Sequence, residues 1–282
     1  MKDSKLLYFF LAIVSILMSS SHKSQEKYIT NKYFASNFNA SANCLHKLNS
    51  SSNDLLLHEV PVLCYHQIRE WKKTDSKNAR TYIMPPERFQ KQIKMLVDSG
   101  YHFILPAQFV SYITTKGKLP QKPVMLTFDD ANFTQFTEAL PELNKHGIKA
   151  VFFVMTVVLN HLNYMSSQQV KILAEQGHVI GCHTWDHHNV TNYKEEDWKI
   201  QVEDPAHQLE KITGKPVEYF AYPNGIWNAQ AIDKLKKNGF LEAFQLAGKQ
   251  DIKNHRFTIR RIIVDGNWNE KQLLNALKYS FK

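Results

Sequence analysis

The sequence predicts an α/β fold in which helices flank a mostly parallel sheet, either open or closed into a barrel. Three observations predict it. Short apolar runs of strand length alternate with segments of helical period. Glycine repeatedly stops the helical segments, as Gly100, Gly147, Gly177 and Gly239 do. Acids and histidines follow directly on the apolar runs, and the carboxyl ends of the strands are where such sheets gather ligands. With 282 residues, 43% of them hydrophobic, the chain can bury one sizeable core.

The first residues stand outside that core. Lys2 and Lys5 precede an apolar run from Leu6 to Met18, followed by Ser19, Ser20 and Ser21, so residues 1–21 read as a secretory signal peptide, with an uncleaved membrane anchor as the alternative. Residues 22–58 are rich in Ser, Asn and Lys and form a lead-in without a regular apolar period. The domain proper spans 59–282, and the protein is expected to act outside the cytoplasm, as a monomer.

Val60 to His66 is the first buried strand. Pro85 and Pro86 open a helix that puts Phe89, Ile93 and Leu96 on one face and stops at Gly100. Val124 to Phe128 is a strand delivering two acids, Phe133 to His146 a helix closed by Gly147, and Ile148 to Val154 the next strand. Ser166 and Ser167 can cap a helix ending at Gly177, and the strand His178 to Gly181 follows. Glu195 to Thr213 is a long helical stretch, Tyr219 to Tyr222 a strand, Asn228 to Asn238 a helix, and Phe257 to Val264 a late strand.

Of three cysteines, Cys44 falls in the lead-in, while Cys64 and Cys182 lie in apolar runs and read as small buried side chains rather than a bridge. The net charge of +9 is scattered along the chain. A nucleic-acid footprint needs a localised patch, so no nucleic-acid partner is expected.

Chemistry concentrates in two places. Asp129 and Asp130 end a fully apolar run. Because consecutive strand side chains point to opposite faces, both can serve one site only if the strand ends there and the chain bends. One could then bind a cation while its neighbour takes a proton from water. His183 and His187 follow the run Val179 to Cys182, four apart, a spacing that puts both imidazoles on one side of a helical turn. With Asp130 they offer two nitrogens and one oxygen, the ligand set of an open catalytic metal site. Trp185, Tyr222, Trp227 and Trp268 are candidate ligand-facing aromatics, a type more often found in the core. There is no Gly-x-Ser-x-Gly elbow, which argues against a serine esterase.

These motifs resemble those of polysaccharide deacetylases with a NodB-homology domain, carbohydrate esterase family four. Thr127 to Asp130 and His183 to His187 are similar to its first two motifs, and Phe220 to Gly225 to its third. The resemblance runs from Val60 to the C-terminus and is strongest to the secreted enzymes acting on poly-β-1,6-N-acetylglucosamine. It implies a distorted (β/α) barrel and N-acetyl removal from an extracellular or cell-wall polysaccharide. It also implies one divalent metal ion, zinc or else cobalt or nickel. Asp129 would be the base, Asp130, His183 and His187 the metal ligands, and Asn224 with Tyr222 the oxyanion and substrate contacts. His188 competes with His187. Two features depart from the family pattern: Ala221 stands where an arginine usually positions the base, and no late Leu-x-His supplies a general acid. Arg260 or Arg261 could replace the first, and His66 the second. Alternative substrates are peptidoglycan and chitooligosaccharides. A noncatalytic glycan-binding protein of the same fold is the rival class.

Overall fold

Strand β1 (Val62–Tyr65) buries all four of its side chains, as a strand covered on both faces must. The same holds for β6 (Val151–Val154) and, past its first residue, for the long central strand β5 (Pro123–Asp129). A computed structural model describes residues 59–115 and 117–281, so the apolar N-terminal run, the lead-in and Cys44 lie outside the described residues. The described part belongs to one unit, Leu57–Lys282.

Short strands complete the set: β2 (Gln67–Ile68), β3 (Ile83–Met84), β4 (His102–Phe103), β7 (Val179–Cys182), β8 (Tyr219–Ala221), β9 (Glu242–Phe244) and β10 (Ile262–Ile263). The main sheet runs β10-β1-β5-β6-β7-β8-β9, with β4 beside β5, and every pairing is parallel. It curls into a parallel half-barrel. Period-two alternation divides the core. Leu126, Phe128 and Phe152 pack under the helices, whereas Met125, Val151, Phe153 and Phe244 fill the concave side. Thr127 and Asp129 continue the Met125 side.

The helices follow the sequence signals closely. Pro86–Asp98 buries Phe89, Ile93 and Leu96. Ser166 caps Ser167–Glu175 through a capping box with Gln169, worth about 1 kcal/mol, and Asn228 caps Ala229–Lys237.

Three expectations need correction. The segment from Phe133 to His146 is not one regular helix but a wide π-type turn, Gln135–Ala139, leading into the helix Leu140–Lys145. The stretch from Glu195 to Thr213 likewise divides into Glu195–Trp198, a wide turn Lys199–Glu203 and the helix Asp204–Thr213. Pro141 and Pro205, near the starts of the second helices, have no N–H to complete a regular ladder. The carbonyl of Gln201, four residues before Pro205, instead accepts from Trp185 N at 3.0 Å. Finally, the late strand shrinks to Ile262–Ile263, after a tight turn at His255–Phe257. Among the described residues no helix is long and apolar enough to cross a membrane.

Candidate active site

Strand β5 stops at Asp129, and the next two residues adopt left-handed backbone, φ 74° at Asp130 and 55° at Ala131. This is the bend that two adjacent acids need to share a site. Thr184, His187 and Asn224 also have positive φ, at 67°, 70° and 58°. Each such non-glycine residue costs of order 1–3 kcal/mol, and strain of this kind collects at functional sites. The loop after β7 is therefore not the helical turn that the four-residue spacing suggested. His183 and His187 meet through a tight reversal, in which Thr184 Oγ1 accepts from His187 N at 2.9 Å and Trp185 N is held by Gln201. Their rings lie 4.8 Å apart.

The two acids occupy different surroundings. Asp129 is 2% exposed, and its carboxylate receives Arg261 Nη1 at 2.7 Å and Nη2 at 2.8 Å. Cys64 Sγ adds a weaker contact at 3.4 Å. Burial by itself would raise this carboxyl, but the guanidinium and the nearby imidazole of His183 outweigh it and hold Asp129 well below the usual carboxylate range. The arginine missing at Ala221 is thus supplied by Arg261, just before β10 at the edge of the sheet. Arg260 turns elsewhere and pairs with Glu59 at 2.7 Å.

Asp130 Oδ1 is buried and has no hydrogen-bond partner among the described residues. It stands 3.5 Å from His183 Nε2 and 3.8 Å from His187 Nε2. Tetrahedral bonds of about 2.1 Å separate ligand atoms by about 3.4 Å, so the oxygen and two nitrogens fit a divalent cation. His183 Nδ1 donates to Ala221 O at 2.7 Å, which fixes the tautomer and leaves the Nε2 lone pair for an ion. His188 is 74% exposed in its side chain and faces Asp186 Oδ1 at 2.6 Å, so the geometry brings His187, and not His188, to the cluster.

These groups open on a cavity of about 400 Å³, which His66, Arg69, Asp75, Tyr82, Asn224 and Leu246 also line. His66 is half-buried, with Nδ1 3.9 Å from Cys64 Sγ, and lies with Cys64 and Asp129 in a second close group. Burial outweighs the neighbouring carboxylates and lowers the His66 imidazole below its ordinary value. Tyr222 also lines this cavity. Its hydroxyl donates to Phe257 O at 3.1 Å and its amide to Phe244 O at 3.0 Å, which fixes the ring at the cavity wall. Trp227 is half-buried and bonds Gln245, and Trp268 packs partly buried on the core, whereas Trp185 beside His183 is 40% exposed.

Sequence reasoning missed several supporting residues. Gln135 Nε2 donates to the carbonyl oxygens of Asp129 and His66, tying two strand ends together from the wide turn. Arg69 and Asp75 pair at the cavity wall. None of them lies in a motif. Arg69 and Asp75 belong to the excursion between β1 and β4, and Gln135 to the wide turn after β5.

Residues 116–243 match the family model for polysaccharide deacetylase. The poly-beta-1,6-N-acetyl-D-glucosamine N-deacetylase of Staphylococcus epidermidis is 28% identical over 293 residues, covering 95% of this chain and 94% of that protein. A Bacillus subtilis relative, YxkH, is 25% identical over 182 residues, and this chain spans 62% of its length. The solved structure of the Streptococcus pyogenes deacetylase PplD in complex with acetate shares the fold, with a TM-score of 0.71 at 23% identity over 78% of this chain and 98% of that one. In its aspartate pair, its histidine loop and its curled parallel sheet, the chain resembles the polysaccharide deacetylases, enzymes acting on carbon–nitrogen bonds other than peptide bonds.

Proposed function

We propose that this enzyme removes N-acetyl groups from poly-β-1,6-N-acetylglucosamine outside the cytoplasm, with Asp129 as base and Asp130, His183 and His187 as metal ligands. The observation that carries the chemistry is the contrast between adjacent carboxylates: one locked on a buried arginine, the other presenting an orphaned oxygen to two imidazole nitrogens. The linkage is supported by the Staphylococcus epidermidis relative, matched nearly end to end. Residues 1–21 would act as the export signal.

Asp130, His183 and His187 would hold a divalent cation, zinc in preference to cobalt or nickel, which when bound would supply Lewis acidity and lower the pKa of water. Asp129 Oδ2 would take a proton from the attacking water, a role supported by its position 3.8 Å from His183 Nε2. Its pairing with Arg261 keeps it ionised and oriented, and makes it a weak base that passes the proton on readily. Water oxygen bonds to the acetamide carbonyl carbon, the Asn224 amide steadies the oxyanion, and the carbon–nitrogen bond then breaks. His66, neutral at rest, would relay the proton from the Asp129 side to the departing nitrogen. Acetate and a glucosamine unit result.

Acetate release from poly-β-1,6-N-acetylglucosamine, peptidoglycan and chitin fragments, measured with and without added metal, tests the reading. Metal-dependent release from the first polymer is expected. Release confined to either of the others overturns the substrate, and release from none by metal-loaded protein overturns the site assignment.

A further inference from the structure

A second cavity, of about 290 Å³, adjoins the catalytic one, and Gln67 and Arg69 line both. Lys72, Asn132, Phe133 and Tyr164 belong to its far side. A glycan with one unit at Asp129 and His183 would reach it by passing over Gln67 and Arg69. Resting on the glycan reading above, we infer that this cavity binds the neighbouring sugar unit and selects one that still carries its N-acetyl group over one already converted to glucosamine.

Two properties support this. The first is sugar-like chemistry. Phe133 is 41% exposed on the loop directly after the two acids, where an aromatic face can stack on a sugar's C–H surface. Gln67 uses its carbonyl oxygen on Arg69 Nε at 2.9 Å, and Asn132 uses its own on Thr134 at 2.7 Å. The amide nitrogens of both, unused in these contacts, are donors suited to hydroxyl and acetamide oxygens. The second property is charge. The catalytic cavity holds three acids, Asp75, Asp129 and Asp130, whereas no acidic side chain lines the adjoining one. Arg69 is bonded by both nitrogens to Asp75, at 2.8 Å and 3.0 Å, which largely cancels its charge. The exposed Lys72 ammonium, whose backbone N–H donates to Asp75 at 2.6 Å, forms no ion pair of its own among the described residues and is the cation at this cavity's rim.

A glucosamine ammonium placed there would meet Lys72 as a like charge, while a neutral N-acetylated unit would not. The product pattern follows: isolated glucosamine units separated by acetylated ones, rather than runs.

The test compares the wild-type enzyme, Phe133→Ala and Lys72→Glu on three probes. These are N-acetylglucosamine, which fills only the catalytic cavity, a fully acetylated β-1,6 tetramer, and the same tetramer carrying one glucosamine. Phe133→Ala is expected to lower kcat/KM on the acetylated tetramer about fivefold and leave the single unit unchanged. Lys72→Glu is expected to raise the rate on the glucosamine-bearing tetramer, relative to the acetylated one, by about threefold. Equal effects of Phe133→Ala on all probes, no effect on any, or an unchanged ratio for Lys72→Glu would overturn the inference. If the wild-type enzyme acts on a β-1,4 tetramer and not on the β-1,6 one, the linkage fails while the same variants, run on β-1,4 probes, still decide the cavity's role.

Discussion

Asp129 carries a full negative charge at a position that water scarcely reaches, and Arg261 is what makes this tolerable. Breaking a buried ion pair from one side costs about 3–5 kcal/mol, because the remaining charge is left uncompensated. Asp129→Asn should therefore lower both stability and rate. We expect a rate loss of about 10²- to 10⁴-fold, the usual contribution of a general base, with bound metal retained, measured as acetate release alongside metal content. Full activity in this variant would remove Asp129 as the base. The histidine pair gives a sharper contrast. His187→Ala should lose stoichiometric metal, whereas His188→Ala, whose ring points to solvent, should keep it. Metal analysis of the two purified variants reads this directly.

At the scale of elements, the starts of β6 and β7 are joined by His178, which is 2% exposed and accepts from Ala150 N at 3.2 Å through Nδ1. Burial pushes this imidazole down to about 4. The folded state therefore refuses a proton that the unfolded chain takes up below its ordinary pKa of about 6.5, and the linked stability, full above that value, is lost as pH falls towards 4. A shift of this size corresponds to about 3 kcal/mol. In His178→Asn the side-chain oxygen can still accept from Ala150 N, so its unfolding free energy should fall less than the wild type's between about pH 7 and about pH 4, as urea titrations would show. Pro205 interrupts one helical ladder, and the carbonyl of Gln201 then holds the histidine loop, so a helix defect and the placement of the proposed ligands share one cause.

For the molecule as a whole, the proposed ligands come from the loops after β5 and β7, the strands on either side of β6, while the core is filled by strands and helices away from them. Chelation should consequently abolish activity without unfolding the protein. At a hundredfold excess of metal over Kd the stabilisation is about 2.7 kcal/mol, which for a domain of this size corresponds to a Tm change of about 5–10 °C. Scanning calorimetry before and after chelation checks it. A Tm unaffected by metal would contradict the proposed ligand set.

What the sequence by itself determined lies within a few residues of each signal. The buried runs, the glycine stops, the caps at Ser166 and Asn228 and the two motifs at Asp129 and His183 are local patterns, encoded by periodicity and by backbone preference. What tertiary structure alone decided is who meets whom across the sheet. Arg261 reaches Asp129 over 132 positions because β10 pairs with β1 and β1 with β5. Ala221, read as a gap in a motif, supplies the carbonyl that orients His183. His187 itself adopts left-handed backbone, which no helical spacing rule anticipates, while the next ring, His188, is exposed, and the Tyr222 hydroxyl is tied to Phe257 O, 35 positions away. Such contacts depend on strand register and on the curl of the sheet, which are set by the packing of the whole core and leave no periodic trace in the chain.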